Sequence, residues 1–177
     1  MKQDIIKKIE IPEDVTLTLE KNEMNVKGPK GQNRIKIYHP MVSIKRENDT
    51  IVLEVKKSSK REKKILNTLR AHINNFIRGA KTGYECQLKI CSGHFPMNVS
   101  IQSKQIVIKN FFGEKIPRKA KILDDVEVKI EGDIIKVSGV DRDKVGQTAS
   151  NIEQSTRRAN FDKRVYQDGI WIIKKAK

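Results

Sequence analysis

The sequence predicts an α+β fold of two tandem similar domains from an internal duplication, each a small antiparallel sheet packed against one helix. Three observations predict it. Short stretches alternate apolar and polar residues with the period of a half-buried strand. A longer stretch, from about Ser59 to Lys81, carries apolar residues at helical spacing. The whole order then begins again about 82 residues later.

The alternation starts at Val15, with Val15, Leu17 and Leu19 on one face and Thr16, Thr18 and Glu20 on the other. Lys21-Asn22-Glu23 turns the chain into Met24-Asn-Val-Lys27, and the pair reads as a hairpin. After the loop Gly28-Pro-Lys-Gly31 come a strand near Arg34 to Tyr38 and a second hairpin, Val42 to Lys56, that turns at Asn48-Asp49. Ser59 and Glu62 have the spacing of a capping box. Ile65, Leu66, Leu69, Ile73, Phe76 and Ile77 then recur at helical spacing, which predicts a helix from about Ser59 to Lys81, stopped by Gly83.

In the second copy Val99, Ile101, Ile106 and Ile108 match Leu17, Leu19, Met24 and Val26, and Gly113 falls opposite Gly31. The hairpin Val126 to Val137, turning at Glu131-Gly-Asp133, matches the one at Asn48-Asp49, and Asp141 to Arg157 supplies the second helix. Two copies are too few for a stacking array, so the repeat is a duplicated domain. The division falls into residues 1–82 and residues 83–177, the latter with a basic C-terminal extension.

The 37 Lys and Arg against 22 Asp and Glu leave a formal charge of +15. Such an excess repels itself in a compact fold unless a polyanion lies close by. Residues 1–82 hold 19 basic and 10 acidic side chains, residues 83–177 hold 18 and 12, so the charge is not a detachable tail. The N-terminus, Met-Lys-Gln-Asp-Ile-Ile-Lys-Lys, lacks the apolar run of a signal peptide, and no stretch is long enough to span a bilayer. A soluble, intracellular protein with no membrane partner is expected. Cys86 and Cys91, five apart in a strand, would sit roughly 16 Å from one another on opposite faces, too far for a disulfide. Two buried reduced thiols are expected.

Catalytic signals are missing. His39, His72 and His94 are scattered and none has a Cys or second His at metal-ligand spacing. No phosphate loop, dinucleotide fingerprint or nucleophile elbow occurs. Asp141-Arg-Asp143 places two carboxylates at a helix start, where they cap free N–H groups. The sequence therefore predicts no enzyme activity, no cofactor, no metal and no small-molecule substrate.

Binding signals are stronger. Gly28-Pro-Lys-Gly31 puts Lys30 at the tip of a glycine-flanked loop that serves either as a tight turn or as a phosphate contact. On the first helix Lys60, Lys63, Asn67, Arg70, Asn74, Arg78 and Lys81 fall within about 40° of one line, a polar face that faces either solvent or RNA. The C-terminal run Arg157-Arg158, Lys163-Arg164, Tyr166, Trp171 and Lys174-Lys175 interleaves cations with aromatics. Cations neutralise phosphates and aromatics stack on unpaired bases. Trp171 also belongs to the apolar run Ile170-Trp-Ile-Ile173, so core packing in a strand is its other reading.

Ile11-Pro12-Glu13, Val26-Lys-Gly-Pro-Lys-Gly31, Asn110-Phe-Phe-Gly-Glu-Lys-Ile-Pro-Arg118, Gly139-Val-Asp-Arg-Asp-Lys-Val-Gly-Gln147 and Asp168-Gly-Ile-Trp-Ile172 stand in an order that resembles the large-subunit ribosomal protein six family in its archaeal and eukaryotic form. The resemblance covers nearly the whole chain. It implies a cytoplasmic, non-enzymatic component of the large subunit that docks on rRNA beside the sarcin-ricin loop and the stalk base, with neighbouring ribosomal proteins and translational GTPases close by. By analogy, the RNA contacts gather around Lys144, Gly146, Gln147, Arg157, Arg158, Arg164, Gln167 and Lys175, and Lys30, Lys115, Arg118, Lys163, Trp171 and Lys174 complete the candidate set. The family often carries Tyr where Trp171 stands, which preserves stacking but not a hydroxyl contact. The rivals are an RNA-binding or RNA-modifying factor outside the ribosome, which would need a general base or cofactor pocket, and an architectural DNA binder, which charge alone permits.

Overall fold

The computed structural model describes residues 3–20, 23–37, 39–162 and 164–176. Lys2, the Lys21-Asn22 turn, Tyr38 and the candidate Lys163 lie outside them. The chain forms two compact units, Met1–Gly83 and Tyr84–Lys177.

The first unit runs β1 (Gln3–Glu10), β2 (Thr16–Glu20), β3 (Glu23–Gly28), β4 (Gly31–Lys36), β5 (Ser43–Glu47), β6 (Thr50–Ser58) and α1 (Lys60–Thr82). Its strands make two three-stranded antiparallel sheets, β1-β6-β5 and β2-β3-β4. The helix begins where Ser59 and Glu62 close a reciprocal capping box, with the Ser59 N–H donating to the Glu62 carboxylate at 2.8 Å. It ends where Gly83 takes φ 75° and donates its N–H to the Gly79 carbonyl. One face of α1 buries Leu66, Ile73, Phe76 and Ile77 against Leu17, Met24 and Val26 of one sheet and Ile51, Leu53 and Val55 of the other. Full burial of each such side chain stabilises the fold by about 1.5–3 kcal/mol, so this one helix seam holds both sheets.

The second unit runs β7 (Tyr84–Cys91), β8 (Asn98–Gln102), β9 (Gln105–Lys109), a 3-10 turn (Phe111–Gly113), β10 (Arg118–Lys121), β11 (Val126–Glu131), β12 (Ile134–Gly139), α2 (Arg142–Ser155) and β13 (Gly169–Lys174). The order β11-β12-β7 repeats β5-β6-β1, and β10-β9-β8 repeats the other sheet. Val145, Ala149 and Ile152 of α2 pack on Leu88, Ile135, Val137 and Ile170. Asp141 caps this helix, its carboxylate accepting the Asp143 N–H at 2.9 Å. The addition is β13, which pairs antiparallel with the free side of β7, Gly169 opposite Cys91 and Ile172 opposite Leu88.

Three expectations change on contact with the structure. β1 and β10 are strands that the alternation left out. In β1 only Ile9 is buried, and in β10 only Ala120, so neither carries a full apolar face. Cys86 is buried, but Cys91, the last residue of β7, is only half-buried, so the pair is not two buried thiols. Burial pushes the Cys86 thiol pKa up, and its S–H donates to the Lys174 carbonyl at 3.0 Å. Finally, Gly31 sits in a tight β3–β4 turn, whereas Gly113 sits in a long β9–β10 connection. A shorter β10, a shorter link from it to β11 and a shorter β12 offset the extra residues, and the helix starts at Lys60 and Arg142 return to the 82-residue offset. Among the described residues, no helix is long and apolar enough to cross a membrane.

Candidate nucleic-acid interface

The β9–β10 connection is built under strain. Asn110 and Phe112 both take left-handed backbone angles, φ 61° and 49°, costly for a bulky residue such as Phe. The Asn110 side-chain amide donates to the Pro96 carbonyl at 2.9 Å. Arg118 ties the far end. Its Nε and Nη2 donate to both oxygens of Glu114 at 2.7 Å, and its Nη1 donates to the Ser155 and Arg157 carbonyls at 2.9 and 3.1 Å. Its guanidinium also lies 4.4 Å from the Phe111 ring centre. The Arg118 hydrogen bond holds the Glu114 carboxyl below the usual range, against a smaller opposing effect of burial.

This brace delivers Phe112 to the segment that follows α2. Phe112 and Phe161 lie 5.4 Å apart, Phe161 and Tyr166 5.1 Å, and Phe112 and Tyr166 6.0 Å between ring centres. Arg158 lies over two of these rings, 4.1 Å from Phe161 and 5.2 Å from Phe112. Such offset and edge contacts suit the charge distribution of aromatic rings, and a guanidinium above a ring face adds attraction. A shallow crevice of about 20 Å³, lined in part by Arg157, Arg158, Phe161, Tyr166 and Trp171, opens beside them. Phe95, 46% exposed, extends the patch, its ring centre 6.5 Å from that of Phe112.

A buried carboxylate underpins the same segment. Asp168 is 6% exposed and accepts the His94 backbone N–H at 2.9 Å, while its other oxygen lies 2.6 Å from His94 Nδ1. Burial would raise the Asp168 pKa, but the hydrogen bonds and charge of His94, with the Gly93 N–H, outweigh it and hold the group below the ordinary carboxylate range. The His94 ring packs 5.1 Å from Tyr166.

The candidate residues separate into groups. Arg157 and Arg158 are exposed, with no carboxylate at ion-pair distance among the described residues. Arg164 is exposed and paired with Asp162 at 2.8 Å, a surface pair of the kind that contributes little to stability and exchanges readily. Gln167 accepts the Trp171 indole N–H at 2.9 Å. Trp171 is half-buried in β13 over Gly169, so its strand reading accounts for its place. Lys174 and Lys175 are exposed at the end of that strand, and Lys115 is exposed in the strained loop. Arg118 is the brace itself.

Lys144, Gly146 and Gln147 lie on α2. Lys144 reaches Asp125 at 2.7 Å, and the Gln147 amide donates to Asn151 at 2.9 Å. Gly146 stands inside the helix, and a Cβ placed there would meet nothing within 4 Å. The fold therefore has no packing need for glycine at this position. Gly28 is the opposite case. A Cβ there would lie 2.5 Å from the Ala80 carbonyl oxygen, and Lys30 donates its backbone N–H to that same carbonyl at 3.0 Å. Close approach to α1 accounts for Gly28, and the Lys30 side chain projects exposed from the turn in the first unit.

Sequence reasoning missed Phe95, Phe112, Phe161 and the His94–Asp168 pair. No local pattern marks them, because His94 and Asp168 are 74 residues apart and the rings come from separate segments. The run Phe111-Phe112 beside a glycine was the one available signal. Among the described residues, no group of three or more His, Cys, Asp or Glu could hold a metal ion.

Comparison with known proteins adds an independent line. The family model described as Ribosomal protein L6 matches residues 11–83 and 95–169. The chain is 43% identical over 176 residues to a Large ribosomal subunit protein uL6 of Methanosarcina mazei, covering 99% of this chain and 100% of that protein. It is 41% identical over 171 residues to the protein of the same name in Methanobrevibacter smithii, covering 97% and 96%. A third relative of that name, in Methanothrix thermoacetophila, is 37% identical over 175 residues, covering 99% of each chain.

Proposed function

Because the chain belongs to the ribosomal protein L6 family, we propose that its second unit is the main rRNA-binding domain and docks near the sarcin-ricin loop and the stalk base, supporting the surface where translational GTPases land. The protein is a structural component of the large ribosomal subunit, not an enzyme, and its place is the ribosome in the cytoplasm. Its partners are rRNA and neighbouring large-subunit proteins.

The observation that supports this reading best is the joint placement of cations and rings after α2. Arg158 lies over Phe112 and Phe161, Arg157 lines the crevice with them and Tyr166, and Arg164 follows exposed in the same segment, so phosphate neutralisation and base stacking are available side by side. A strained loop held by four Arg118 hydrogen bonds presents the patch as a preformed surface. Gly146 adds a second argument: a helix glycine that packing does not require is explained by a backbone outside the protein that comes close. Lys144 and Gln147 flank it.

The test is a salt titration of binding to large-subunit rRNA. Each neutralised phosphate contributes about 0.7 to 0.9 to the slope of log K against log salt, so eight contacts give roughly −6 to −7. Replacing Arg157, Arg158 and Arg164 together by Ala lowers the slope by about 2 to 3. A wild-type slope near −1, or an unchanged slope in the triple variant, excludes the patch as the main site. Chemical protection of rRNA by the bound protein locates the contact, and protection confined to regions remote from the sarcin-ricin loop overturns the placement.

A further inference from the structure

We infer that the exposed face of α1 is a second RNA-contact surface, one that grips the phosphate backbone of an RNA helix without reading its sequence. This rests on the RNA-binding reading above and extends it to the first unit.

The duplication supplies an internal control. The helices α1 and α2 hold the same position in their units, yet α1 carries seven cations and one carboxylate while α2 carries two of each. Their common task, burying an apolar face on the sheets, needs no such difference. The cations are also badly placed for a helix on its own. Lys60, Arg61, Lys63 and Lys64 crowd the first turn, where the helix dipole is positive and favours acidic side chains. Lys60 stands four residues from Lys64 and three from Lys63, spacings at which like charges repel. The single carboxylate, Glu62, is held by the Ser59 cap, which with Arg61 lowers its pKa. A polar face shaped only by solvent would avoid this arrangement.

Lys63, Arg70 and Arg78 are exposed and have no carboxylate at ion-pair distance among the described residues, whereas Lys81, at the far end, is neutralised by Asp14 at 2.8 Å. Asn67 and Asn74 lie in the same line and are exposed. From Lys60 to Arg78 the stripe runs about 27 Å at the rise of an α-helix, long enough to meet several phosphates. Phe76, the one Phe, Tyr or Trp in α1, is buried in the core. The face thus offers cations and amides but no ring on which a base could stack. That favours the backbone of a duplex over an unpaired strand.

The experiment compares two triple variants of the full chain on large-subunit rRNA. Replacing Lys63, Arg70 and Arg78 by Gln lowers the salt slope by roughly 2 to 3. Replacing Lys8, Lys45 and Lys56 by Gln, all exposed on the side of the β1-β6-β5 sheet opposite the core, leaves it unchanged. The charge-keeping variant Lys63→Arg, Arg70→Lys, Arg78→Lys retains the slope. The α1 Gln variant melts at or above the wild-type temperature, because it removes like charges from one face. An unchanged slope in that variant overturns the inference and leaves the face to solvent or to an acidic protein. Equal losses in the two Gln triples overturn it as well, since bulk charge would then account for both. A wild-type chain that fails to bind rRNA defeats the underlying reading instead, which is seen before any variant is made.

Discussion

Gly146→Ala separates what the fold requires from what a partner requires. The position lies inside α2, and the space that a Cβ would occupy is open out to 4 Å, so an added methyl group meets no atom of the protein. Alanine restricts the unfolded chain and favours the helix, which predicts a gain in stability of about 0.5–1 kcal/mol. For a unit of this size that raises the melting temperature by roughly 2–8 °C. The same methyl group would stand between the helix and an RNA backbone seated on it. Steric insertion into a close contact costs about 1–3 kcal/mol, a loss of affinity of roughly 5- to 150-fold. Calorimetry of the free protein and filter binding to rRNA read the two effects separately, and opposite signs are expected. A variant that is stabilised but binds as tightly as wild type refutes the close approach at Gly146. A destabilised variant refutes the account of its surroundings.

Arg118→Ala removes four hydrogen bonds and a ring contact at once, so urea unfolding should show a loss of roughly 2–4 kcal/mol; a loss below about 0.5 kcal/mol means the brace is not holding the strained loop. Gly28→Ala drives a methyl group to 2.5 Å from the Ala80 carbonyl oxygen and should cost about 1–3 kcal/mol in thermal or denaturant melts, in contrast to Gly146→Ala; equal effects at the two glycines would contradict the packing described. Asp168 has a pKa held below its unfolded value of about 3.9, so its contribution is complete above that value and disappears as pH falls through the folded pKa. Stability measured from about pH 6 down to about pH 2 should fall more steeply for wild type than for Asp168→Asn, and parallel curves would show that the His94 contact carries no linkage.

The elements that could be read in the sequence are those whose signals are local. Ser59 and Glu62 mark the start of α1 within four residues, and Gly83 marks its end, so the helix was legible almost to the residue. β1 was not, because Lys7 interrupts the inward row of Ile5 and Ile9 while Ile6 points outward and is 57% exposed. At the candidate site, Arg157, Arg158 and Arg164 declare themselves by charge alone. What composes a surface from them is tertiary: Arg118 was legible as a cation, but its donors turn inward to Glu114 and the end of α2. Gly28 shows the limit from the other side, since a glycine in a turn reads the same whether phosphate or Ala80 is the neighbour.

The placement of β13 has a consequence for the order in which the protein can form. Every strand and helix of the first unit lies within residues 3–82, and its longest strand pairing, Gln3 with Ser58, closes within that stretch. In the second unit β7 cannot gain its last neighbour until Gly169–Lys174 exist, and Gly169 must find Cys91 across nearly eighty residues. Closing so long a loop costs more chain entropy and slows assembly. During synthesis the first unit can therefore complete while the second waits with one side of β7 bare and the Cys86 thiol without its Lys174 acceptor. The segment bearing Arg157, Arg158 and Arg164 lies between α2 and β13, so it is pinned at both ends only when the final strand docks. A newly made chain would then acquire this cationic, ring-bearing patch only after β13 has docked, which keeps the surface from being fully formed while β7 is still bare on one side.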